Sequence, residues 1–142
     1  MNPLRLPAEP ASLERIARYV LEHAERAGLS AEAGYRLRLA TDELATNVVV
    51  HGYRGRAGEL RLSAGTDGRS AWVRLEDDAP RFDPSAGCLP PRTELPLSER
   101  PIGGLGIHLA LTALDGFSHD YAEGHNTSTL VIRLDRPGTP TE

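Results

Sequence analysis

The early part of the chain repeats its apolar residues on a helical period. Leu13, Ile16, Ala17, Val20, Leu21 and Ala24 recur at steps of three and four, which predicts an amphipathic helix. Ser12 stands where an N-cap is expected, and Gly28 stands where the helix must stop. Ser30 then caps a second, longer helix, with Leu37, Ala40, Thr41, Leu44 and Val48 on one stripe and Gly52 at its end. Gly34 falls inside that stripe and lowers local helix stability. Ahead of both helices, Leu4 and Leu6 alternate before Pro7 and predict a short edge strand.

Further along, the period changes to two. Leu60, Leu62 and Ala64 alternate with polar residues, Thr66-Asp67-Gly68-Arg69 carries an Asp-Gly turn signal, and Ala71, Val73 and Leu75 alternate again. This is the pattern of an antiparallel hairpin. Residues 82–101 show no period and hold Pro84, Pro90, Pro91, Pro96 and Pro101. A long irregular segment within a domain is usually functional or disordered. Gly103-Gly104-Leu105-Gly106 closes it, and a helix is expected over about residues 107–114, with Leu111 and Leu114 on its apolar side. Phe117, His119 and Tyr121 alternate next, Gly124-His125-Asn126 turns the chain, and Leu130, Ile132 and Leu134 line the last strand's inner face. Residues 1–136 read as a single domain, followed by a frayed tail over 137–142. Helices and strands in this order suit an antiparallel sheet with helices on one face.

Composition narrows the function. A chain of 142 residues with 39% hydrophobic content can bury one sizeable core, and with aromatics at 5% that core must rest on Leu, Val, Ile and Ala. The net charge of -4 and the lack of a Lys/Arg cluster argue against nucleic acid, whose phosphates demand concentrated positive charge. No apolar run reaches the length of a membrane span, and residues 1–10 lack the apolar stretch of a signal peptide. The lone Cys88 forms no internal disulfide and fits a reducing cytoplasm.

Three places could carry chemistry. Glu43 and Asn47 lie four apart and share one face of the second helix, near Leu39 and Val50. Spacing alone makes them a solvated pair as readily as a site, yet an amide oxygen suits a hard cation such as Mg²⁺ and a free carboxylate can accept a proton. Glu76-Asp77-Asp78 leaves the end of a strand, where three acids are commonly just solvated. One of them could instead accept a hydrogen bond from an exocyclic amine, such as that of adenine. The glycines at 103, 104 and 106 precede a helix, so their backbone N–H groups could approach an anion; a flexible hinge explains them equally well. Arg100 is near enough in sequence to reach a phosphate. His51, His108, His119 and His125 lack the paired spacing of zinc ligands.

The order of these signals is more specific than any one of them. Asp42-Glu43-Leu44-Ala45-Thr46-Asn47, ending in His51-Gly52-Tyr53, resembles the N-box of the anti-sigma-factor serine kinases, small members of the GHKL ATPase/kinase superfamily. Asp77-Asp78-Ala79-Pro80-Arg81-Phe82-Asp83-Pro84 resembles their adenine-binding box, usually Asp-x-Gly followed by Phe-Asp-Pro. Gly104-Leu105-Gly106 is similar to their second glycine box, Asn126-Thr127-Ser128-Thr129-Leu130 to their last strand, and Leu4-Arg5-Leu6-Pro7-Ala8 to their opening.

The resemblance implies a histidine-kinase-like ATPase fold: a two-layer α/β sandwich with a mixed, mostly antiparallel sheet and helices on one face. It implies ATP and Mg²⁺ as cofactors, with Asn47 as the Mg²⁺ ligand, Glu43 as general base and Asp77 as the adenine reader. It further implies Gly104 and Gly106 beside the phosphates, Arg100 near the γ-phosphate, Thr129 near the adenine, and a lid over residues 82–101. The implied activity is that of a cytoplasmic serine/threonine kinase regulating transcription. Its substrate would be a serine on an anti-anti-sigma (STAS-type) partner, with a sigma factor and a second copy of the chain as further candidate partners. One departure stands out: Ala79 replaces the box glycine, where a Cβ would crowd the base or restrict the backbone. That leaves open a second reading, a partner-sequestering module without phosphoryl transfer. The catalytic half of a sensor histidine kinase is a third and weaker reading.

Overall fold

In the computed structural model, which describes residues 1–53, 56–82 and 104–134, the periodic stretches take the elements their spacing predicts. Helix α1 spans Leu13–Ala27 and buries Ile16, Tyr19, Val20, His23 and Ala24. Its outer side carries the pairs Glu14–Arg18 and Glu22–Arg26 at the four-residue spacing. Gly28 ends it in the left-handed region at φ 84°. There the Leu29 amide bonds to the Ala24 carbonyl at 3.0 Å and the Gly28 amide to Glu25 at 3.1 Å, the paired bonds of a Schellman stop. Ser12 holds the N-cap position of this helix, but its side chain makes no capping hydrogen bond. It closes a short 3₁₀ turn, Pro10–Ser12, and its hydroxyl donates to the Pro7 carbonyl at 2.7 Å instead.

Helix α2 spans Ala31–Asn47, and Ser30 Oγ accepts from the Ala33 amide at 3.1 Å as an N-cap should. Gly34 has a packing reason: a Cβ there would come within 3.2 Å of Ala24 Cβ, so the glycine lets α1 and α2 approach. The last turn departs from the expected α-helix. Val48–Gly52 widens into a π turn, a feature often found beside functional sites.

Five strands follow the order β1-β2-β3-β5-β4, with β1 at Leu4–Pro7, β2 at Glu59–Thr66, β3 at Ser70–Asp77, β4 at Gly116–Ala122 and β5 at His125–Arg133. All four pairings are antiparallel, so among the described residues the sheet is not mixed. The β2–β3 turn is closed by Asp67 Oδ1, which accepts from the Arg69 and Ser70 amides, with Gly68 at φ 92°. Between β4 and β5 the turn has two residues, Glu123 and Gly124, both at positive φ as a type I′ hairpin requires. Leu134 lies one residue past the end of β5.

Alternation puts Leu60, Leu62, Ala64, Ala71, Val73, Leu75, Leu130 and Ile132 on one face, where α1 and α2 cover them. Helix α3, Gly104–Thr112, begins three residues earlier than its apolar pattern suggests and packs along α2. From residue 107 on, Ile107 and Ala110 are buried and Leu111 is partly covered, as is Leu114 just past the helix end. The expected tail over 137–142 and all but the first residue of the expected lid lie outside the described residues.

Candidate functional site

Asn47 is the last residue of α2 and is 8% exposed. Its Nδ2 is buried with no hydrogen-bond partner. Buried polar groups are nearly always satisfied, so an unpaired amide at a helix end is the kind of group that waits for a ligand. No partner dictates which way the amide faces, so its oxygen is as available as its nitrogen. Glu43 lies one turn earlier on α2 and is half-buried. Among the described residues no group of three His, Cys, Asp or Glu side chains could hold a metal ion. A Mg²⁺ ion at Asn47 would therefore draw its remaining oxygens from phosphates and water, as this ion commonly does.

The strand-end acids lie next to this helix end. Asp77 closes β3 on the inner face, 5% exposed. Its Oδ1 accepts from the Ala79 amide and from Asn126 Nδ2, both at 3.0 Å. Burial pushes its pKa up, against those two hydrogen bonds, which pull it down. With Oδ1 doubly engaged, Oδ2 is the oxygen left to meet a ligand.

Asp78 points the other way. It takes a two-pronged contact from Arg61, at 3.1 and 2.9 Å, and a bond with His125 Nδ1. The Arg61 hydrogen bonds hold its pKa down to about 2.

Two contacts join the helix end to the acid turn. The Tyr53 hydroxyl accepts from the Asp78 amide at 2.8 Å and from the Glu59 amide at 3.2 Å, and donates to the Glu59 carbonyl at 2.7 Å. Gly52 faces Ala79: a Cβ on Gly52 would lie 3.4 Å from Ala79 Cβ. Ala79 is 2% exposed, and its φ is outside the left-handed region. Its methyl thus packs inward against the π turn, and no glycine-only conformation is forced on it. Beside this junction a cleft of about 710 Å³ is walled by Gly52, Tyr53, Arg56, Glu59, Asp78 and Ala79 among others.

The remaining expected residues divide. Gly104 and Gly106 do open α3. Arg36 Nη1 donates to the Ala113 carbonyl at 3.2 Å, which pins the far end of α3 to the early part of α2. Helix α3 thus packs against α2, the helix that ends at Asn47. Thr129 does not join the site. It faces the uncovered side of the sheet, where Arg74 Nε lies 3.5 Å from its hydroxyl. Strand alternation turns Ser128, 7% exposed, onto the Asp77 face instead. Arg100 lies outside the described residues.

Sequence reasoning missed Asn126 and Tyr53 as parts of the site. The signal for Asn126 was available: it has the same parity as Leu130 and Ile132, so it is a polar residue turned inward, and such a residue must find partners.

Comparison with known proteins agrees with this fold. The histidine kinase-like ATPase domain family matches residues 6–133. Serine-protein kinases RsbW from Listeria innocua serovar 6a and Listeria monocytogenes serotype 4a are each 33% identical over 127 residues, covering 85% of this chain and 80% of theirs. The solved RsbU and RsbW domains of Rv1364c from Mycobacterium tuberculosis share the fold, with a TM-score of 0.60 at 18% identity. That match covers 96% of this chain, which spans about a third (34%) of the solved one.

Proposed function

The chain belongs to the histidine kinase-like ATPase domain family, and from that premise we propose that it is an ATP–Mg²⁺-dependent serine/threonine kinase of the anti-sigma type. Its substrate is a serine on an anti-anti-sigma (STAS-type) partner, and a sigma factor is a second protein it sequesters. The observation that carries the reading is the buried, unpaired amide of Asn47, one π turn from the contact that joins Gly52 to Ala79 beside the Asp77 carboxylate.

Asn47 and the phosphates would hold Mg²⁺, which neutralises charge on the transferring phosphoryl group. Asp77 Oδ2 accepts from the adenine amine, while the tether on Oδ1 keeps the carboxylate from turning away. Glu43, one turn from Asn47 on the same helix face, accepts the proton of the attacking serine. The first N–H groups of α3, freed by Gly104 and Gly106, face the phosphates. Ser128 takes the adenine-side position that the resemblance gave to Thr129. The inward packing of the Ala79 methyl removes the main motive for a nucleotide-free module.

The test is transfer from labelled ATP to a candidate anti-anti-sigma protein, with binding measured in parallel by calorimetry. Wild type should transfer, Glu43→Gln should bind ATP without transferring, and Asn47→Ala should lose Mg²⁺-dependent binding. Tight ATP binding by Asn47→Ala, unchanged by Mg²⁺ removal, would refute the assignment.

A further inference from the structure

Asn126 is the most heavily bonded side chain near the acid turn. It is 4% exposed and starts the inner face of β5, directly across from Asp77. Its Nδ2 donates to Asp77 Oδ1 at 3.0 Å, to the Ala79 carbonyl at 3.0 Å and to the Pro80 carbonyl at 3.1 Å. Its Oδ1 accepts from the Phe82 amide at 3.0 Å and meets His119 Nε2 at 3.1 Å. The amide's orientation is settled by groups that cannot change role: two backbone carbonyls on one side and a backbone N–H on the other. His119 must therefore present Nε2–H.

One side chain thus fixes three things: the rotation of the Asp77 carboxylate, the carbonyls of the turn after it, and the amide at which the chain leaves that turn. Ala79, Pro80 and Phe82 lie past the end of β3 with no regular secondary structure to hold them, so the geometry of this turn depends on this amide and on the Tyr53 contact to Asp78. A carboxylate free to rotate would accept from an amine or turn from a carbonyl at little cost. A carboxylate held at Oδ1 aims Oδ2 in one direction, and discriminates.

We propose that Asn126 is the positioning residue for nucleobase selection: by clamping Asp77 and the turn through Phe82, it makes the site prefer a 6-amino purine over a 6-oxo purine. The inference rests on the ATP reading above. Calorimetry with Mg²⁺–ATP and Mg²⁺–ITP reads it directly, because the two ligands differ only along that edge of the base, in the 6-substituent and in the proton that the 6-oxo form carries on N1. Wild type should prefer ATP by about 30-fold, the scale of one hydrogen bond to a charged acceptor. Asn126→Ala should lower that ratio to about threefold or less through weaker ATP binding, with ITP binding little changed. Asn126→Ser serves if the alanine variant does not fold.

Equal weakening of both ligands would show a merely structural role and overturn the proposal, as would an unchanged ratio. Amide hydrogen exchange at Ala79 and Phe82 in the ligand-free protein gives an independent reading. Faster exchange in the variant is expected, and unaltered exchange would refute the clamp. A wild type that fails to distinguish ATP from ITP, while exchange still responds to the substitution, would sink the adenine reading of Asp77 and the selectivity claim with it, leaving the clamp as architecture.

Discussion

The phenol of Tyr53 offers the sharpest test of how the two halves of the site are joined. Tyr53→Phe removes one oxygen and leaves the ring, 8% exposed, in place. That oxygen serves three backbone groups: the amide and carbonyl of Glu59 and the amide of Asp78. A neutral hydrogen bond contributes about 1 kcal/mol net, and a buried group left without a partner costs more. The Glu59 and Asp78 groups border the cleft, so water can reach part of what the phenol leaves. The loss should come to about 2 kcal/mol, which for a domain of this size lowers the melting temperature by roughly 6–8 °C. Urea unfolding at neutral pH, followed by circular dichroism, measures it; the midpoint should fall with the slope unchanged. A loss below about 0.5 kcal/mol would refute the reasoning, since it would mean that the hydroxyl is not what holds the start of β2 to the end of β3.

Three further outcomes are expected. Asp77→Asn keeps an oxygen for the Ala79 and Asn126 donors, so the fold should hold to within about 1 kcal/mol while ATP binding weakens by at least about tenfold; equal ATP affinity in calorimetry would remove Asp77 from the site. Burial, more than any other cause, lowers the pKa of His23 from its ordinary 6.5, so the unfolded chain takes up a proton first and stability should fall as pH drops below about 6.5 toward the folded value. His23→Gln should flatten that slope in urea midpoints taken from pH 7.5 to 5, and an unchanged slope would place the effect elsewhere. Ala79→Gly deletes a methyl packed against Gly52 and adds backbone freedom to the unfolded chain, so it should destabilise by about 1–2 kcal/mol in the same unfolding assay; a more stable variant would show that the methyl is strained.

The architecture was legible because most of its devices are local. Gly28 as a stop, Ser30 as a cap and Asp67-Gly68 as a turn work through bonds within a few residues, and period-two alternation named the inner faces of β2 and β3. Ser12 stands at the expected cap position, but the 3₁₀ turn begun by Pro10 gives it a helical backbone there and its hydroxyl turns back to Pro7 instead of capping. The π turn after Asn47 could not be read, because one extra residue per turn leaves the apolar run Val48-Val49-Val50 unchanged in kind. Thr129 falls on the uncovered face of the sheet, a placement that the motif's spacing does not fix, because neighbouring residues on a strand point to opposite sides. Contacts such as Asn126 with Asp77 and Tyr53 with Asp78 span 49 and 25 positions, beyond the reach of spacing arguments.

Ala79 changes meaning once those long-range contacts are known. Read along the chain, an alanine in place of a box glycine suggested a crowded base or a strained backbone. In the fold, the residue has an ordinary φ, its amide donates to Asp77 Oδ1, and its methyl meets the π turn. Across from it stands Gly52, where a Cβ would come into contact with Ala79 Cβ and Val48 Cγ1, each at 3.4 Å. A departure at position 79 therefore acts on how the helix end and the acid turn are packed together. Of the groups that would touch a nucleotide, Asp77 is held by Asn126, whose bonds to the turn go to backbone carbonyls and so do not depend on which side chain stands at position 79.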